Sequence, residues 1–188
     1  MQKIKKFTLA AVSVSAAFLL AACGSQQSSS SASKDKQVLK LSATAPLDTI
    51  DISKATGYGQ TGNVFESFYR LGKNGQPAAG LAKSGTVSKD GKTWTFNLRK
   101  GAKWANGDEV TAQDFVYSWR RTVNPKTASE YAYLFSGIKN ADAIVAGKKA
   151  ANTLGIKADG KYKLTVTLDR RIPYFKLLMG FYIFSKPT

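Results

Sequence analysis

Apolar side chains recur along this chain at two spacings, and the spacing predicts the elements. In Val38–Ala43, Leu39, Leu41 and Ala43 fall on one side of an extended backbone and predict a short strand. Trp94, Phe96 and Leu98 alternate in the same way after Lys89-Asp90-Gly91-Lys92, whose Asp-Gly pair tolerates the positive φ of a tight hairpin back to Thr86-Val87-Ser88. Tyr162–Leu168 is the clearest strand, with Tyr162, Leu164, Val166 and Leu168 on one face and Lys163, Thr165 and Thr167 on the other. The helical spacing appears elsewhere. Asn63 as a cap with Glu66 three residues on, followed by Val64, Phe65, Phe68 and Leu71 on one face, predicts a helix. Thr111 and Asp114 cap a second, which carries Phe115, Val116, Trp119 and Thr122 and stops before Pro125. Weaker helical patterns cover Ala141–Ala146 and Pro173–Met179, the latter with Pro173 in its first turn. Gly and Pro punctuate the rest, from Pro46 to Gly59, at Gly72–Pro77 and at Asn106-Gly107. Hairpin turns without strict βαβ alternation predict an α/β, or mixed α+β, domain. The apolar run Met179–Phe184 stands at the end with nothing after it to cover it, which predicts a core lacking its other half.

Upstream of these elements the pattern changes. Lys3, Lys5 and Lys6 precede an apolar stretch from Phe7 to Leu20, too short for a comfortable membrane span and fitting a signal-peptide core. It ends in Leu20-Ala21-Ala22-Cys23-Gly24, which resembles the lipobox of bacterial lipoproteins, so Cys23 is expected to carry the lipid of the processed chain. The plainer alternative is ordinary cleavage after small residues beside an incidental Cys. Gly24–Ser33 holds only small and polar residues and reads as a flexible tether. Residues 1–22 are therefore expected to be a lipoprotein signal peptide and residues 23–37 a lipidated Cys with its Ser-rich tether. Such an anchor places the remainder on the extracellular face of a cell membrane, the periplasmic side where an outer membrane exists.

Composition narrows the chemistry. The 188 residues contain no His and one Cys, which removes Ser-His-Asp and Cys-His catalysis, His-containing metal sites and an internal disulfide. No nucleophile–base set remains, and neither a cofactor nor a metal is expected. Asp108-Glu109 and Asp114 lie in a turn and a helix cap, so they read as structural and not as an acid/base pair. Gly57–Gly62 has the spacing G-x-G-x-x-G, but no βαβ unit follows to make it a dinucleotide site. Lys and Arg number 28 against 12 Asp and Glu, a formal charge of +16 that suggests an anionic partner. Without residues 1–22 the charge is +13. The basic residues are mostly Lys scattered through turns, which argues against nucleic acid.

The segment Ser88–Arg121 resembles the extracellular solute-binding proteins of peptide ABC importers, particularly the oligopeptide-binding lipoproteins. Asn124–Tyr133, Ile144–Lys149, Leu154–Ala158 and the Leu47-Asp48…Ile52 opening carry the same resemblance, which covers about residues 38 to 180. It implies a periplasmic-binding-protein-like fold of type II, present here in part. Residues 38–62 would be the first strand and loop of lobe I, 63–165 a small α/β domain, and 166–188 the start of a return into lobe I. The relatives continue into a second large lobe, so a shortened chain is expected. The implied function is a membrane-anchored, extracellular, non-enzymatic component that binds oligopeptides for membrane-embedded ABC permease subunits. A cationic surface lipoprotein with an adhesive or structural role, or an inactive fragment, is the alternative.

A binder of many peptides must use what all peptides share, the backbone, and leave roomy pockets for side chains. By resemblance, the loop Ala55-Thr56-Gly57-Tyr58-Gly59 corresponds to the family segment that runs beside the peptide, and Tyr131 to a position lining the cleft. The residues themselves leave other readings open. Gly57 and Gly59 also suit a plain turn, Tyr131 and Tyr133 also suit packing, and Trp94, Trp104 and Trp119 read as core.

Overall fold

The hairpin forms where the Asp-Gly pair sits. In the computed structural model, which describes Lys40, Ser42, residues 46–57 and residues 61–185, Gly91 takes a φ of +73°. Asp90 accepts a hydrogen bond from the Lys92 N–H at 3.0 Å and closes the turn. The strands on either side, β3 (Ala82–Val87) and β4 (Thr93–Leu98), pair antiparallel, with an irregularity between Ala82 and Ser84. Gly85 is required inside β3, because a Cβ there would lie 2.3 Å from the Tyr69 hydroxyl and 2.9 Å from the Phe96 ring. β6 (Lys163–Thr167) pairs with the other edge of β4, and β5 (Ile156–Ala158) pairs with β6. The sheet order is β3-β4-β6-β5, antiparallel throughout. β6 runs unbroken across position 165/166.

One face of this sheet is apolar. Phe96, Leu98, Leu164 and Val166 are buried, as their alternation predicts. Helix α1 (Ala112–Val123) turns Phe115, Val116, Trp119 and Val123 into the same core. Its start is fixed by a capping box in which the Asp114 carboxylate accepts from the Thr111 N–H at 2.8 Å. It ends at Asn124, one residue before Pro125, as read from sequence. Phe68 joins the two layers, its ring 5.0 Å from Phe96 and 4.6 Å from Phe115 between centroids. Full burial of such a side chain stabilises by roughly 1.5–3 kcal/mol. A short α2 (Ala141–Val145) forms as expected. α3 (Phe175–Leu178) is shorter than expected, with Pro173 in the turn before it and outside its first turn.

The helix expected from Asn63 does not form. Thr61–Asn63 make a single 3₁₀ turn, and the chain then extends into β1 (Tyr69–Leu71), which pairs with β2 (Pro77–Ala79). Distant backbone decides this. The Ser67 and Phe68 carbonyls accept from Leu81, Gly80 and Ala82, all at 3.0 Å, and Tyr69 N–H donates to Met179 O at 3.2 Å. Phe65 and Phe68 are buried while Val64 and Leu71 stand exposed, so no helical stripe exists.

The terminal apolar run is covered in part, with Phe181 left exposed. Met179, Ile183 and Phe184 are fully buried. Phe184 packs 4.6 Å from Phe135 and 5.2 Å from Trp119 between ring centroids. Its carbonyl accepts from Trp119 Nε1 at 2.9 Å, and the Ser185 carbonyl accepts from Ser118 Oγ at 2.6 Å. The strand expected over Val38–Ala43 lies outside the described residues, apart from Lys40 and Ser42, which belong to no strand.

Candidate functional site

The loop of residues 46–57 is built on its own side chains. Asp51 O accepts from the Lys54 and Ala55 N–H groups at 2.9 Å, turning the chain so that Ile52, Ser53 and Ala55 are buried. Asp48 then spans the loop, accepting from the Thr56 N–H at 2.6 Å and the Thr56 hydroxyl at 2.7 Å. Those two donors hold the Asp48 carboxyl below the usual carboxylate range.

The end of α1 fixes the loop in place. Arg121 donates two hydrogen bonds to Asp51, at 2.8 and 2.5 Å, in the bidentate geometry of a guanidinium–carboxylate pair. Burial pushes the Asp51 carboxyl up, but the Arg121 hydrogen bonds and the Ser53 N–H outweigh it, and the net shift is downward. The hydroxyls of Ser53 and Thr122 meet at 2.8 Å in the interior. A loop so far from α1 in sequence is thus attached to its last turn by an ion pair and a buried hydroxyl pair.

Tyr131 reaches the same loop from the other side. Its hydroxyl donates to the Thr56 carbonyl at 3.0 Å, and its ring stacks on Tyr133 at 6.2 Å between centroids. Two of the sequence-expected positions, separated by 75 residues, therefore meet. Ala55 is buried beneath them, while Thr56 and Gly57 are exposed. A Cβ built on Gly57 would meet nothing within 4 Å, and its φ is outside the positive range. Neither packing among the described residues nor backbone strain calls for glycine there. Tyr58, Gly59 and Cys23 lie outside the described residues.

Beside Tyr131 and Tyr133 an open groove of about 440 Å³ continues past Tyr69, Leu71, Leu177 and Phe181. Its walls are apolar and aromatic, suited to side chains of varied shape. Sequence reasoning missed Asp51, Ser53, Arg121 and Thr122 as supports of the loop. No local pattern signals a pair 70 residues apart, although Arg121 closes the segment that carried the family resemblance. Among the described residues no group of three or more metal-ligating side chains gathers, and no helix is long and apolar enough to cross a membrane.

The family described as bacterial extracellular solute-binding proteins, family 5 (middle region), matches residues 76–188. The chain belongs to that family. It is 44% identical over 180 residues to the dipeptide-binding protein of Lactococcus lactis subsp. cremoris, covering 96% of this chain and 32% of that relative. The periplasmic oligopeptide-binding protein OppA of Escherichia coli is 44% identical over 150 residues, which are 77% of this chain and 27% of OppA. Among solved structures, Listeria monocytogenes OppA bound to peptide superposes with a TM-score of 0.77 at 44% identity, over 82% of this chain and 31% of that one. The mixed α/β fold is accordingly part of a type II periplasmic-binding-protein-like fold. The chain spans about a third or less of the length of these relatives.

Proposed function

We propose that this chain is part of the extracellular substrate-binding component of an ABC transporter that imports oligopeptides, anchored to the membrane by an acylated Cys23. The observation that carries the reading is the meeting of Tyr131 with Thr56, beside an exposed Gly57 whose backbone nothing pairs among the described residues. An extended peptide lying along Gly57 exchanges backbone hydrogen bonds as an added strand does, which is independent of its sequence. The adjoining apolar groove receives a side chain without selecting strongly among shapes. Asp48, Asp51 and Arg121 hold the loop in one conformation before the peptide arrives, which lowers the entropic cost of binding.

In this reading residues 38–62 open the first lobe, residues 63–165 form the small domain, and residues 166–188 begin the return. A second lobe, supplied by sequence that the longer relatives have, closes over the ligand and presents the closed form to the permease. Binding is the whole task, and no residue acts in catalysis. Support for the anchor rests on Leu20–Gly24 and the tether behind it.

Titration of the chain with a mixture of short peptides, followed by backbone NMR and calorimetry, tests the site. The expected result is weak binding with shifts confined to residues 55–57, Tyr131 and the groove. Shifts elsewhere alone would overturn the site, and a dissociation constant of about 1 μM or tighter would overturn the need for a second lobe. Mass spectrometry of the mature N-terminus tests the anchor: an unmodified Cys23 in the membrane fraction is the outcome against it.

A further inference from the structure

The outward face of the four-stranded sheet is polar from edge to edge. Register places Ser84, Asn97 and Lys163 in one row and Thr95, Thr165 and Lys157 in the next, on the side opposite Phe96 and Leu164. Asn97 Nδ2 donates to Ser84 Oγ at 3.0 Å across the strands, confirming that both point outward. At one end the face opens into a groove of about 700 Å³ whose lining includes Lys83, Lys100, Tyr162 and Lys163.

The charges here are unbalanced. Asp159 is held by Lys157 at 2.7 Å and by the Thr165 hydroxyl at 2.6 Å, and Glu109 by Lys161 at 2.6 Å and by the Tyr162 hydroxyl. Among the described residues, no carboxylate comes within salt-bridge distance of Lys83, Lys100 or Lys163. All three side chains are exposed. Asp159 lines the same groove and attracts Lys163 from beyond that distance, and Lys100 lies 5.9 Å from the Tyr162 ring centroid. Yet Lys83, Arg99, Lys100 and Lys163 face this one carboxylate, so the rim keeps a net positive charge for an external anion.

We propose that this Lys-rimmed sheet face docks onto a membrane surface bearing anionic phosphodiester headgroups. Charge complementarity selects the partner, and the geometry selects among anionic partners. The rim is built of Lys, a mobile point charge suited to a diffuse headgroup layer; the Arg99 guanidinium donates instead to the Gly80 carbonyl at 2.5 Å. The outward rows hold no aromatic side chain, and the ring of Tyr162 in the groove already has Lys100 and Lys161 over it, 5.9 and 5.6 Å from its centroid, which leaves a poor platform for stacking a single-stranded polyanion. They also carry no apolar wedge, so the contact is adsorption to the headgroup layer without insertion. Docking does not require the lipid on Cys23, though an anchor would raise the local concentration.

Co-sedimentation of the full chain with vesicles tests this, using phosphatidylcholine alone and an equimolar phosphatidylcholine–phosphatidylglycerol mixture. The variant Lys83→Glu/Lys100→Glu/Lys163→Glu is compared with Lys73→Glu/Lys126→Glu/Lys148→Glu, which changes net charge equally at exposed positions outside this face. Wild type and the second variant are expected to partition alike onto the anionic vesicles. The first is expected to lose at least about tenfold of that partitioning and most of its salt dependence, with binding to neutral vesicles unchanged. Equal losses in both variants, or none in the first, would overturn the proposal. So would patch-dependent binding of soluble polyphosphate without patch-dependent binding of vesicles. Near-UV circular dichroism checks folding; should the Glu variant unfold, Lys83→Gln/Lys100→Gln/Lys163→Gln makes the same comparison against Lys73→Gln/Lys126→Gln/Lys148→Gln.

Discussion

Tyr131 and Thr56 show how one hydrogen bond joins two parts of the candidate site. Replacing Tyr131 with Phe keeps the ring on Tyr133 and removes the donor to the Thr56 carbonyl. The expected cost is about 0.5–1.5 kcal/mol in urea unfolding, with amide shifts at Thr56 and Gly57; unmoved amides would show that the bond does not hold the loop. Glu109 makes a second test, through pH. Hydrogen bonds from Lys161 and then Tyr162 hold its carboxyl at about 2, against a usual 4.5. A folded value below the unfolded one means the stabilisation is complete above about pH 4.5 and disappears as pH falls through about 2. The stability difference between wild type and Glu109→Gln should therefore shrink from pH 5 towards pH 2 in denaturant titrations. A constant difference would contradict the shift. At this scale the sequence alone said little: Tyr131 and Thr56 stood out only through family resemblance, because their meeting is a product of the whole fold.

Elements were legible in proportion to how locally they are determined. α1 carries its start in Thr111 and Asp114, its apolar face in between, and its stop at Pro125, and the structure follows all three signals. Asp114→Ala should cost about 1 kcal/mol in thermal or denaturant unfolding, since it removes the acceptor of the Thr111 N–H. It also removes an acceptor of Trp104 Nε1 at 3.3 Å, so a shift in Trp104 fluorescence should accompany the loss. The stretch after Asn63 shows the opposite case. Its cap-like residues and apolar spacing imitate a helix, and Glu66 does meet Arg70 at the i,i+4 spacing, 2.6 Å apart. Yet the carbonyls of Ser67 and Phe68 bond to residues 80–82, 12 to 14 positions on, a pairing that the i, i+3 and i, i+4 spacing of a helix does not report. β5 was missed for a related reason: three residues are too few for a period, and β6 supplies the partner that makes them a strand.

At the scale of the molecule, the terminal run explains how the core closes. Read locally, Met179–Phe184 is an uncovered apolar segment, because its cover is α1 and Phe135, between 44 and 72 residues earlier. In the structure the run divides. Phe184 is wholly buried between Trp119 and Phe135, while Phe181 is 38% exposed on the wall of the groove beside Tyr133. The same substitution at the two positions therefore separates core closure from surface character. Phe184→Ala should cost about 3–5 kcal/mol, the transfer term plus a cavity that rigid aromatic neighbours cannot refill. Phe181→Ala should cost under about 1 kcal/mol, because half-exposed surface is lost and its carbonyl still accepts from Ser67 Oγ. Both are read as midpoint shifts in urea, with the Trp119 near-UV signal as the local report. If the two variants lose equal stability, the run is not the closing face of the core; if only Phe184→Ala collapses the Trp119 signal, the last residues of the described chain complete the core that positions α1 and, through Arg121, the candidate binding loop.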